Sequence, residues 1–240
     1  MIPRPGRLVL LGDPVAHSLS PIFQRAAMRT AGIAVTYDAM AVSAADVEAR
    51  LRSLVAEGAA GNVTIPHKER VAALCDVLTP LAARIGAVNT WWSEDGLLHG
   101  DNTDVGGFDD AIRVMLGDTP RNARVAVLGA GGSARAVVAA ISEWQHCSVA
   151  IWGRSRERAD ALAPLGPLGR TSVEEFMASA VRGADLVVNA TPIGLRDDQV
   201  PVNPALLRAG ASCFDLVYRP TGLTPFVALA RAQGRRTASD

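Results

Sequence analysis

The chain has 240 residues, with 24 basic side chains balanced by 24 acidic ones, which argues against a nucleic-acid binder or a polybasic membrane-surface protein. Hydrophobic residues make up 49%, enough to exclude disorder and to bury a sizeable core in one large domain or two modest ones. No apolar run approaches the roughly 18 residues of a membrane span, and no signal-peptide stretch follows Met1. Cys75, Cys147 and Cys213 lie far apart without CxxC spacing. They read as reduced thiols of a cytoplasmic protein, not as disulfides or zinc ligands.

In chain order, Leu8–Leu11 reads as a strand, Ile22–Ala31 as a helix, Val35–Val42 as a strand and Ala44–Ala56 as a helix. Gly61–Ile65 reads as a strand, with helical stretches after His67 and after Thr79. Thr90–Trp92 and Leu97–His99 flank an Asp95-Gly96 pair, a hairpin signal. Val105–Leu116 is a helical pattern closed by Gly117 and Pro120. A second series follows, with strands over Arg124–Leu128, Cys147–Trp152, Asp185–Asn189 and Ala211–Val217. Its helices run through Ile141 and over Arg156–Leu162 and Thr224–Ala232. Strands alternating with helices predict a parallel sheet covered on both faces, and the whole pattern two α/β domains.

Gly129-Ala130-Gly131-Gly132-Ser133-Ala134 follows a predicted strand and opens a helix, the context of a dinucleotide fingerprint. Gly129 allows the tight turn, Gly131 lets a pyrophosphate approach the backbone, and Ala134 lets helix and strand pack closely. The helix N-terminus offers free N–H groups to the phosphates. The alternative is a generic Gly-rich strand–helix turn. Where NAD sites place a carboxylate after the next strand, this chain has Trp152-Gly153-Arg154-Ser155-Arg156-Glu157-Arg158. A guanidinium there can pair with a 2′-phosphate, which favours NADP; otherwise these arginines belong to a solvated helix start.

Of the 24 basic residues only Lys68 is a lysine, and only a lysine can lose its proton when partly buried. It is either a tuned acid–base group or a leftover surface charge. It ends Gly61-Asn62-Val63-Thr64-Ile65-Pro66-His67-Lys68, where a Lys at a helix start opposes the dipole. Gly12–Pro21 offers Ser18 and Ser20 after a strand, as ligand contacts or as helix caps. Gly86–Thr90 and Gly100–Asp104 add Asn and Asp at turns. Uncharged hydrogen-bonding groups at several strand ends suit a polyhydroxylated ligand.

Taken together, the runs GDPVAHSLSP (12–21), GNVTIPHK (61–68), GAVNT (86–90), NTD (102–104), GAGGSARA (129–136), NATPIG (189–194) and DLVYRP (215–220) resemble the shikimate dehydrogenase family. The resemblance implies a substrate domain over 1–103 and a Rossmann-like, doubly wound NADP-binding domain over 104–240, with the site in the cleft between them. It implies substrate contacts at Ser18, Ser20, Thr64, Asn89 and Tyr218, and a catalytic pair, Lys68 and Asp104. For NADP it implies Gly129, Ala130, Gly131, Gly132, Ser133, Arg154, Ser155, Arg158, Thr191 and Leu216.

The reaction so implied is reversible reduction of 3-dehydroshikimate to shikimate, in chorismate and aromatic amino-acid biosynthesis, by a monomer or homodimer. Lys68 would give the proton to the developing alkoxide and Asp104 would hold the amine. Quinate or aminoshikimate dehydrogenases, or a non-catalytic NADP-binding protein of the same fold, are the alternatives. No metal is expected, since His17, His67, His99 and His146 show no ligand spacing. Two departures stand out. The family's Asn after HSxSP has no match, its region carrying Gln24, and the chain ends at Asp240 short of the family's Gly-x-x-Met-Leu segment and C-terminal helices. That helical segment, with its substrate-contacting Gln, is expected to be absent.

Overall fold

A computed structural model describes residues 5–16, 18–219 and 222–239; His17 of the HSxSP motif and Pro220 lie outside them. The chain divides into two compact units, Met1–Thr103 and Asp104–Asp240.

In the first unit, strands β1 (Arg7–Gly12), β2 (Thr36–Ala41), β3 (Ala60–Val63), β4 (Val77–Leu78), β5 (Thr90–Glu94) and β6 (Leu97–Asp101) form one sheet. They are interleaved with helices α1 (Ser20–Thr30), α2 (Val47–Ala56), α3 (Lys68–Leu74) and α4 (Pro80–Ile85). The sheet order is β2-β1-β3-β5-β6-β4. Its core gathers Val9, Leu11, Leu51, Leu54, Val63, Val71, Trp91 and Leu98. Within this sheet β5 runs antiparallel to both β3 and β6, the latter being the hairpin that the Asp95-Gly96 pair predicts. The reason is the two-residue turn between β5 and β6, in which Asp95 and Gly96 both have positive φ (51° and 76°). Such a turn joins only antiparallel neighbours. The strand read over Gly61–Ile65 stops at Val63, where the chain turns and His67 N–H donates to the Thr64 carbonyl at 2.9 Å.

This antiparallel insertion has a consequence for function. With Leu11 opposite Val63, Asn62 opposite Thr90 and Thr90 opposite Asp101, one end of the sheet collects the exits of β1, β3 and β6 and the entry of β5. Segments 12–20, 64–68, 87–89 and 102–103 therefore share one rim.

The second unit opens with α5 (Asp104–Leu116), followed by β7 (Arg124–Leu128), α6 (Gly132–Ser142), β8 (Ser148–Trp152), α7 (Arg156–Asp160), β9 (Thr171–Val173) and α8 (Met177–Val181). It closes with β10 (Leu186–Asn189), β11 (Ser212–Asp215), α9 (Pro225–Ala232) and β12 (Thr237–Ser239). The six strands are parallel throughout. Their order β9-β8-β7-β10-β11-β12 is the 3-2-1-4-5-6 order of the doubly wound dinucleotide fold. Valine- and alanine-rich strands buried throughout, such as Val125–Leu128 and Leu186–Asn189, suit a covered parallel sheet. The order of strands reverses between β7 and β10, where ligands bind in such sheets.

Candidate active site

On the first unit's rim, Ser18 Oγ donates to Ser20 Oγ at 3.1 Å and accepts the Ser20 N–H at 3.2 Å. The N-cap of α1 is Leu19, with no side-chain cap, and Ser18 Oγ instead takes the N–H of the helix's first residue. Thr64 N–H continues the ladder to the Leu11 carbonyl at 2.8 Å. A Cβ on Gly12 would meet Thr64 Cγ2 at 2.5 Å, so glycine at 12 lets Thr64 sit against the β1 exit. Lys68 is half-buried at the first turn of α3, and its carbonyl accepts the Val88 N–H at 2.9 Å. The preceding His67 is 1% exposed, and its Nε2 lies 2.6 Å from the Val42 carbonyl. His67 thus ties the 64–68 turn to the end of β2.

Asn89 is almost buried and held from several sides. Its Nδ2 donates to Thr103 Oγ1 at 2.9 Å, and its Oδ1 accepts the Thr103 N–H at 2.9 Å and the Thr90 hydroxyl at 3.0 Å. Asn62 donates to Thr90 Oγ1 at 3.2 Å and accepts the buried Tyr37 hydroxyl at 2.8 Å. The rim thus brings together Ser18, Ser20, Thr64, Lys68 and Asn89, five of the seven substrate and catalytic residues named from sequence. Asp104, the first residue of α5, and Tyr218, just past β11, belong to the second unit.

In the second unit, Gly129 has φ +124°, and a Cβ there would approach the Ala190 carbonyl oxygen to 2.6 Å. The turn itself demands glycine at that position. Gly131, the N-cap of α6, is different. Its φ of −103° suits any residue, and a Cβ would meet no protein atom within 4 Å. Neither the backbone nor the packing asks for glycine at 131, and the space in front of it is open. Ala134 is fully buried, as close helix–strand packing requires. Past β8, Arg156 is engaged by Asp160 at 2.9 and 3.0 Å, and Ser155 caps α7 by accepting the Arg158 N–H at 3.3 Å. Arg154 is exposed beside them. No carboxylate occupies the tip of β8.

Asn189 and Asp215 stand inside the sequence motifs, but sequence alone gives them no role. They end neighbouring strands in direct register and are both fully buried. Asn189 Nδ2 donates to Asp215 Oδ1 at 2.8 Å and to the Ile193 carbonyl at 3.2 Å, while its Oδ1 accepts the Thr191 N–H (3.0 Å) and hydroxyl (2.7 Å). Asp215 also accepts the Val217 N–H at 3.0 Å and the Thr224 hydroxyl at 2.6 Å. Burial pushes its carboxyl above the ordinary value, against the pull of these donors and of Arg219. Thr191 Oγ1 also accepts the Ile193 N–H at 3.2 Å. With its proton given to Asn189, that hydroxyl can face a nucleotide only as an acceptor or through its methyl group. The missed signal is a polar residue at the end of an apolar strand.

Among the described residues no group of three or more His, Cys, Asp or Glu is placed to hold a metal, and no helix is long and apolar enough to cross a membrane.

A family model described as the shikimate dehydrogenase substrate binding domain matches residues 10–91. A shikimate dehydrogenase (NADP(+)) of Moorella thermoacetica is 42% identical, over 98% of this chain and 82% of the relative. The solved structure of shikimate 5-dehydrogenase from Thermus thermophilus, in complex with NADP(H) and shikimate, is 37% identical and superposes with a TM-score of 0.83. That match covers 97% of this chain and 86% of the other. Quinate dehydrogenase from Corynebacterium glutamicum in complex with NAD is 28% identical with a TM-score of 0.83, covering 97% and 87%.

Proposed function

The chain belongs to the shikimate dehydrogenase family, and from that premise we infer that it is an NADP-dependent oxidoreductase interconverting 3-dehydroshikimate and shikimate. One observation carries the reading beyond resemblance. A single rim of the first sheet presents hydroxyls (Ser18, Ser20, Thr64), a carboxamide (Asn89) and the chain's one lysine (Lys68), which is the chemistry a polyhydroxylated cyclic ketone needs.

NADP supplies the hydride when bound. Gly129–Ser133, at the N-terminus of α6, would hold its pyrophosphate. Arg154 would pair with the 2′-phosphate, with Ser155 and Arg158 in the same turn, and Thr191 and Leu216, at the exits of β10 and β11, would contact the nucleotide. The substrate is held by Ser18, Ser20, Thr64 and Asn89, together with Tyr218. Lys68 gives a proton to the carbonyl oxygen as it becomes an alcohol, and takes it back in the reverse direction. Asp104 is the second member of the proposed catalytic pair. The first unit, residues 1–103, is thus the substrate domain, and 104–240 the nucleotide domain. We place the protein in the cytoplasm, in the route to chorismate and the aromatic amino acids, as a monomer or homodimer.

The likeness to a quinate dehydrogenase makes substrate choice the first thing to test. Steady-state kinetics with shikimate and quinate, each with NADP+ and NAD+, should show the highest kcat/KM for shikimate with NADP+. Preference for quinate would move the chain to that neighbouring activity. NADP+ binding without turnover of either acid would make it a non-catalytic nucleotide binder.

A further inference from the structure

Two loops of the second unit carry residues assigned above to the nucleotide, and the same few side chains fasten both. The 189–194 loop holds Thr191, and the 215–219 segment holds Leu216. The Leu216 N–H donates to the Asn189 carbonyl at 3.0 Å, so the two loops meet at their roots. Asp215 then joins them through its carboxylate. Oδ1 takes Asn189 Nδ2 from one loop and the Val217 N–H from the other, and Oδ2 takes the Thr224 hydroxyl. Thr224 is itself the N-cap of α9, accepting the Val227 N–H at 3.3 Å. Every neighbour is a donor, which is what an acceptor-only carboxylate requires.

A second fastening lies nearer the surface. Arg219 Nε donates to the Gly194 carbonyl at 2.7 Å, and its guanidinium also reaches the Asp197 carbonyl and Asp198 Oδ1. Both ends of the 189–198 stretch are thereby tied to the 215–219 segment.

We propose that Asp215 is a positioning residue of the nucleotide site, setting Thr191 and Leu216 as one unit, with Arg219 as its outer counterpart. Neither side chain need touch the nucleotide. Buried networks of this kind fix geometry when fully satisfied, and losing one member leaves its partners unpaired. The proposal rests on the reading that this unit binds NADP.

The test is calorimetric titration of the full chain with NADP+, run well below each variant's melting midpoint. Asp215→Asn turns one accepting oxygen into a donor facing donors, and should weaken NADP+ by about tenfold. Arg219→Ala should weaken it by about threefold. Asp185→Asn is the control for a merely structural carboxylate. Asp185 accepts the Arg124 N–H at 2.8 Å just before β10, at the end of the strands away from these loops. It should lower the melting temperature without moving the NADP+ Kd. An Asp215→Asn protein that melts lower yet binds NADP+ like the parent overturns the proposal. If that variant does not fold, an unchanged Kd for Arg219→Ala overturns it instead. Failure of the parent chain to bind NADP+ would overturn the functional reading, and this proposal with it.

Discussion

Among 24 basic side chains, Lys68 alone is a lysine, and an amine can give up a proton where a guanidinium cannot. Lys68→Ala should therefore lower kcat by about 10²–10⁴, the usual range for losing a general acid–base. Lys68→Arg is the sharper variant, because it keeps the positive charge and much of the reach. If the amine transfers the proton, the Arg enzyme is nearly as impaired as the Ala enzyme while NADP+ still binds; near-normal kcat would rule out proton transfer. Two glycines invite a similar comparison. Gly129→Ala strains a positive φ and collides with the Ala190 carbonyl, so it should cost about 1–3 kcal/mol in denaturant unfolding. Gly131→Ala meets open space, so stability should hold while the NADP+ Kd rises by about tenfold. A Gly131→Ala chain that loses stability instead would show that the fold requires that glycine, not the cofactor. At Arg154, Ala should weaken NADP+ by about 1.5–3 kcal/mol and leave NAD+ nearly unaffected, since only NADP+ has the 2′-phosphate. Equal loss for both nucleotides would assign the arginine another task.

At the scale of elements, legibility followed length. The apolar runs of β1, β7 and β10 and the long periodic stretches of α5 and α6 were visible because they bury enough contiguous surface to leave a pattern. Two- and three-residue strands such as β4, β9 and β12, and the five-residue α8, leave none, because tertiary contacts stabilise them. What holds β4 is a case in point. Asp76, just before it, accepts the Leu98 N–H at 2.7 Å from β6 and a bidentate Arg52 at 2.8 and 3.1 Å from α2. These donors, the Leu98 N–H first, hold its carboxyl below the ordinary carboxylate value. With the folded pKa depressed, the stabilisation is present above the unfolded pKa and is lost as pH falls through the folded one. Asp76→Asn should thus lower the melting temperature at pH 7 and flatten its decline below about pH 4. Parallel decline of both proteins down to pH 3 would show that Asp76 adds nothing to acid sensitivity.

At the scale of the whole molecule, the sequence disclosed the rim residues but not what fixes them. Ser18, Thr64, Lys68 and Asn89 lie in segments that mark themselves with Gly, Pro and polar residues, though the substrate roles of Ser18, Thr64 and Asn89 came with the family resemblance. His67, Asn62, Asn189 and Asp215 could not, since their partners lie in other strands and emerge only with the register. The division of labour is nevertheless testable across the chain at once by hydrogen exchange. A ligand protects the segments whose opening it opposes, and at 100 times its Kd it adds about 2.7 kcal/mol to the state it binds. NADP+ alone should slow exchange at 129–134, 154–158, 189–194 and 216–217, all in the second unit. Shikimate alone should slow exchange at 18–20, 64–68 and 87–90 in the first unit, and at 104 and 218 in the second, the two substrate-linked positions outside it. Coincident protection maps for the two ligands would refute the assignment of substrate and nucleotide to separate units. Shikimate protection confined to 104 and 218 would remove Ser18, Ser20, Thr64 and Asn89 from the substrate contacts and leave the first unit without its proposed task.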